Sequence, residues 1–176
     1  FATYTIQALS ADIEAILDAE HSERVFLVAC SISAASASLF ALEHPDRVLG
    51  LVLISPMVYT PSNMLVPVLL ATSLRVPVLG RAIWASYFKS LYPSRPVEPD
   101  YLEGLRTSLK QPGSMKSIAG MILAPRLDER LAQMNVPTLA YFCTKDPDFT
   151  NEQGVRETAA KLQQQIPATE VVILDD

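Results

Sequence analysis

The chain has 176 residues, of which 49% are hydrophobic and 19% charged, and a net charge of −5 at pH 7. That length suits one domain with an ample apolar core. The acidic balance, with no basic cluster interleaved with aromatics, argues against nucleic acid as a partner.

In chain order, Thr5 to Glu20 places Ile6, Leu9, Ile13, Ile16 and Leu17 at helical spacing on one face. His21-Ser-Glu-Arg24 is a short polar connection. Val25 to Ala29 has the length and composition of a strand. Ser33 to Glu43, rich in Ala and Ser, is a helix that can lie close to a sheet, and Pro45 ends it. Val48 to Ile54 is a second buried strand. Strand, helix and strand in succession make a βαβ unit, hence a parallel sheet covered by helices. Such sheets bind ligands at the carboxyl ends of their strands.

The junction Ala29-Cys-Ser-Ile-Ser33 lies between the first strand and its helix. A nucleophilic serine on a sharp strand-to-helix turn carries small residues two places before and after it, usually G-x-S-x-G, because the two backbones approach closely there. Here Ala29 and Ser33 hold the glycine places around Ser31. The alternative for Ser31 is a plain helix cap.

Met57 to Met134 differs in character. Leu65 to Leu74, Leu79 to Leu91, Tyr101 to Leu109 and Met115 to Leu123 read as short helices, separated by Pro77, Pro93, Pro96, Pro99 and Pro112. The longest apolar stretch, Leu65 to Ala85, is interrupted by Arg75, Pro77 and Arg81, which rules it out as a membrane span. Trp84, Tyr87, Phe88, Met115 and Met121 either line a pocket or hold these helices together; for any one of them the second reading is preferred.

Several segments together resemble the middle of an α/β hydrolase of the single-domain lipase and esterase type. They are Tyr4-Thr-Ile, Ile13-Glu-Ala-Ile-Leu17, Glu23-Arg-Val-Phe-Leu-Val28, Ala41-Leu-Glu-His-Pro-Asp-Arg-Val48 and Leu51-Val-Leu-Ile-Ser-Pro56. Where that family usually writes Gly-His-Ser-Met-Gly-Gly, this chain has Ala29-Cys-Ser-Ile-Ser-Ala34. The resemblance resumes at Val136-Pro-Thr-Leu-Ala-Tyr-Phe-Cys-Thr-Lys-Asp-Pro-Asp148, a strand followed by the family's acidic residue. It continues through a helix after Asn151 and a strand from Glu170 to Leu174. It implies an α/β-hydrolase fold in three stretches: core residues 1–56 with the nucleophile, a helical cap over 57–134, and core residues 135–176 with the acid.

The resemblance also implies roles. Ser31 is the nucleophile, and the backbone N–H of Ile32 at the helix start is an oxyanion donor, aided by the helix dipole. Asp146 orients the histidine base and stabilises its charged form, with Asp148 as rival and an ordinary Asx turn as the structural alternative. Asp128 and Glu129 read as a solvated helix face. Serine at the elbow argues against the dehalogenases and epoxide hydrolases of this fold, which attack with aspartate. It fits acyl transfer from an apolar ester or similar small molecule to water through an acyl-enzyme.

The two histidines, His21 and His44, belong to the wrong edge of the sheet and read as structural. In the family the base follows the last strand by a few residues, while this chain runs from Phe1 to Asp176. It therefore reads as an internal fragment, inactive alone, of a serine hydrolase. The alternative is a non-catalytic hydrolase-like protein that binds or signals, and the non-glycine elbow gives that reading weight. No metal ligand set or phosphate-binding glycine loop is present in the sequence, so no cofactor is expected. Cys30 and Cys143 belong to strands separated by a third, which argues against a disulfide. Cys30 reads as a packing residue, and the cysteine usage is consistent with the cytoplasm. With no strand outside it, Val25 to Ala29 is expected to be an exposed apolar edge.

Overall fold

The computed structural model describes residues 5–92 and 96–175. Tyr4, Pro93 and Asp176, on which parts of the sequence reading fall, lie outside them. The described residues form two compact units, one helical within residues 61–124, the other sheet-bearing within 5–60 and 125–175.

The sheet-bearing unit begins with α1 (Ile6–Ala19), started by Thr5, whose Oγ1 accepts the Ala8 N–H at 3.1 Å. Ile6 and Leu17 are buried; Ile16, expected on the same face, is exposed. Next come β1 (Val25–Cys30), α2 (Ser33–Glu43), a 3₁₀ turn opened by Pro45, and β2 (Val48–Ile54). After the helical unit the chain continues with a second 3₁₀ segment (Asp128–Gln133), β3 (Thr138–Cys143), α7 (Glu152–Gln165) and β4 (Thr169–Leu174). Asn151 caps α7 by accepting the Gly154 N–H at 2.9 Å.

The strands pair in the order β1-β2-β3-β4, all parallel, with Cys30 opposite Ile54, Ile54 opposite Tyr141, and Cys143 opposite Leu174. Among the described residues β1 is an edge strand, as the sequence leads one to expect. Ala29, Leu51, Leu53, Ala140 and Phe142 point into one core with Leu39 and Phe40 of α2 and Val155 and Leu162 of α7. The expected cover of helices is thus realised on one face. On the other, Phe26 is 69% and Val28 67% exposed, and Cys30 and Ile54 are exposed beside them. Cys30 is therefore no packing residue: the alternation of the strand turns it away from the core.

The helical unit holds α3 (Leu65–Leu74), α4 (Pro77–Ser90), α5 (Pro99–Ser108) and α6 (Ser114–Leu123). α4 and α5 each start with proline, whose missing N–H costs nothing in the first turn. That is why both begin two residues earlier than periodicity alone suggests. Ala71, Leu74 and Ala119 form its small core, with Trp84, Ile83, Met115 and Ile118 packed against it. Trp84 and Met115 therefore do hold these helices together. At Gly80 a β-carbon would lie 2.1 Å from the Leu74 carbonyl oxygen, so only glycine lets α4 pass so near the end of α3. Among the described residues no helix is long and apolar enough to cross a membrane.

Candidate active site

β1 runs out at Cys30 and α2 starts at Ser33, which leaves two residues to reverse the chain. Ser31 takes up the reversal with a φ of +55°, in the left-handed region that residues with a β-carbon avoid. Hydrogen bonds hold it there. Its N–H donates to the Ile54 carbonyl at 2.9 Å, continuing the β1–β2 ladder by one step. Its carbonyl accepts the N–H groups of Ala34 and Met57, both at 3.1 Å. The turn is thus fastened to its own helix and to the residues after β2. A residue with a β-carbon persists in this region only where its surroundings over-determine it.

Ser31 does not cap α2. The N-cap is Ile32, in helical conformation and with no side-chain cap bond. The Ser31 hydroxyl instead donates to the Met57 sulfur at 3.3 Å. Ile32 sits at the positive end of the α2 dipole, where the first N–H groups of a helix lack intrahelical acceptors. An anion forming beside Ser31 would meet that end.

Asp146 stands three residues past β3. Its N–H donates to the Cys143 carbonyl at 3.2 Å, and its Oδ1 accepts the Asp148 N–H at 2.9 Å, the Asx turn anticipated for Asp-Pro. Asp146 is half-buried and Asp148 exposed. The Cys30 thiol, next to Ser31, is pushed above its ordinary pKa by partial burial, then by the negative charges of Asp146 and Asp148 and by Cys143. Ser31 and Asp146 thus follow the carboxyl ends of β1 and β3, the two strands that flank β2. Serine on a left-handed strand-to-helix turn, with acids after a later parallel strand, is the arrangement of one known superfamily.

A model of the family described as serine aminopeptidase, S33, matches residues 4–172. The chain belongs to this family of α/β hydrolases. A comparison with curated proteins finds no match. Solved hydrolases share the fold. An enol-lactonase from Burkholderia xenovorans is 23% identical, with a TM-score of 0.74 over 98% of this chain and 65% of its own. A thermophilic esterase from Thermogutta terrifontis is 21% identical, with a TM-score of 0.69 over 97% of this chain and 63% of its own. An esterase from Exiguobacterium antarcticum is 15% identical, with a TM-score of 0.75 over 99% and 66%. The chain thus spans less than two thirds of the length of these hydrolases.

The remaining residues of this α/β hydrolase sort as follows. His21, with φ +52°, lies in the connection before the amino end of β1. His44 ends α2, stacks on Phe40 at 4.8 Å and faces Glu14 Oε1 at 3.9 Å. Each sits at the opposite end of the strands from Ser31. A shallow depression of about 620 Å³ near His21, lined also by Asp18, Arg24 and Arg47, includes neither Ser31 nor Asp146. Cys30 is exposed and Cys143 half-buried, at the carboxyl ends of β1 and β3. Ser36 bonds the Ser33 carbonyl inside α2, and Ser38 is fully buried, both structural. Asp128 is no solvated helix residue: it is half-buried and bound to Thr60. Glu129 lies outside the site in the same 3₁₀ segment. Met57 is the contact of Ser31 that sequence reasoning missed. Its only signal is its place just after Pro56, at the carboxyl end of β2.

Proposed function

We propose that this chain carries the nucleophile and acid of a serine hydrolase acting on a carboxylic ester or similar acyl substrate, small and apolar. Ser31 attacks the acyl carbon through Oγ. The Ile32 N–H stabilises the developing oxyanion at the start of α2. An acyl-enzyme forms, and water releases the acid. Asp146 orients the base and stabilises its charged form. The observation that carries this reading is the left-handed backbone of Ser31, at φ +55°. A helix-capping or core serine has no need of it.

The base is the one part that His21 and His44 do not supply, because both lie at the other end of the strands. The reading therefore places it on a histidine outside these 176 residues, in a longer protein. In it the helical unit of residues 61–124, narrower than the expected 57–134, serves as the cap. An exposed, unbridged Cys30 supports a reducing compartment such as the cytoplasm.

A second reading is a non-catalytic hydrolase-like binding protein. It is favoured by the Ser31 hydroxyl resting on the Met57 sulfur and by Ala29 and Ser33 in the usual glycine places. A chromogenic short-chain ester separates the two. The 176-residue chain should give no turnover, and the longer protein should turn over in a way abolished by Ser31→Ala. A longer protein that hydrolyses the ester equally well with alanine at position 31 overturns the first reading. One that never hydrolyses it favours the second.

A further inference from the structure

α3 is apolar nearly all round, yet only one side of it is covered. Ala71 and Leu74 pack into the helical unit's core with Ala119 of α6. On the other side Leu65 is 63%, Val66 67% and Leu69 58% exposed, with Val68 exposed between them. Val76, Val78 and Leu79 carry exposed apolar side chains onward into the start of α4. A helix apolar on every side is ordinarily buried on every side, and a run of exposed apolar side chains marks a surface that meets something.

Charge decides what it meets. Residues 61–124 hold seven Lys and Arg against three Asp and Glu, and no carboxylate occurs from Pro61 to Val97. The rest of the chain is strongly acidic, with sixteen Asp and Glu against seven Lys and Arg. A second copy meeting this face with its own would bring no carboxylate from Pro61 to Val97 to pair with Arg75. At ten residues α3 is about 15 Å long, half a hydrocarbon core, so it does not span a bilayer. It can lie in the interface, with Leu65 and Leu69 at the acyl boundary. Arg75, exposed at its C-cap, then reaches the headgroups.

We propose that the exposed side of α3, with the start of α4, docks the protein on an anionic phospholipid surface. The proposal is independent of the ester reading, because vesicle binding needs no turnover. The test is co-flotation with vesicles of phosphatidylcholine alone or mixed with phosphatidylglycerol. Emission of Trp84, the chain's single tryptophan, reports the helical unit. Binding should favour the mixed vesicles several-fold and fall as salt rises. Leu65→Ser with Leu69→Ser should weaken it about tenfold or more with the circular dichroism spectrum unchanged, since both side chains are exposed. Arg75→Glu, at an exposed position, should weaken binding to mixed vesicles about fivefold and leave neutral ones unaffected. No flotation, or equal flotation on both vesicles, overturns the proposal. So does a dimer in sedimentation that the double leucine variant dissolves, which makes a second copy the occupant.

Discussion

Thr60 and Asp128, 68 residues apart in sequence, are joined by two hydrogen bonds: Asp128 Oδ1 accepts the Thr60 N–H at 3.0 Å and Oδ2 the Thr60 hydroxyl at 2.5 Å. The Thr60 oxygen accepts in turn from the Arg126 N–H at 3.0 Å, and the Val58 carbonyl from the Leu127 N–H at 3.1 Å. The two ends of the 61–124 excursion are thereby closed on each other within the sheet-bearing unit. Asp128 reaches Thr60 from a left-handed backbone with φ +44°, which aspartate tolerates better than most residues.

Removing that carboxylate strands two half-buried donors. Asp128→Ala should lower stability by about 1–3 kcal/mol. Asp128→Asn, which keeps an acceptor and tolerates the same backbone, should lose less. Urea midpoints of the two variants make the comparison, and equal losses would mean that the carboxylate bonds contribute nothing.

At Ser31 the backbone, rather than the hydroxyl, should dominate stability. Alanine cannot relax at φ +55° and glycine can. Ser31→Gly is expected to be more stable than Ser31→Ala by about 1 kcal/mol, against the usual order for a residue between a strand and a helix. Coincident denaturation curves would show that the turn is not left-handed in solution.

The pH dependence of Cys30 reports how near Asp146 stands to the elbow. Burial and the two carboxylates raise the Cys30 pKa, so its thiolate forms at a higher pH than in a free thiol. With Cys143 replaced by alanine, the rate of iodoacetamide alkylation should rise through a midpoint above the ordinary thiol value. Asp146→Asn removes one negative charge and should shift that midpoint down. An unmoved midpoint would place the carboxylate out of range of β1.

The bare face of the sheet has its own consequence. Parallel strands are normally covered on both sides, yet Phe26 and Val28 of the edge strand are exposed. The chain should self-associate as its concentration rises, measured by light scattering. Phe26→Ser with Val28→Thr should suppress association at little cost in melting temperature, because neither side chain lies in the core. Scattering that is independent of concentration in the unaltered chain would sink this expectation.

Local chemistry fixed much of this in advance. The runs Val48–Ile54 and Thr138–Cys143, the helices Ser33–Glu43 and Leu65–Leu74, and the elbow around Ser31 are set by hydrophobic period, proline punctuation and small residues. These signals act over a few residues, so the sequence alone carries them. Which face of β1 is covered, that Cys30 turns outward, that Met57 supports the serine, and that Asp128 serves Thr60 depend on partners tens of residues away. Only folding brings them together, because strand alternation says that two faces exist but not which one the helices will choose.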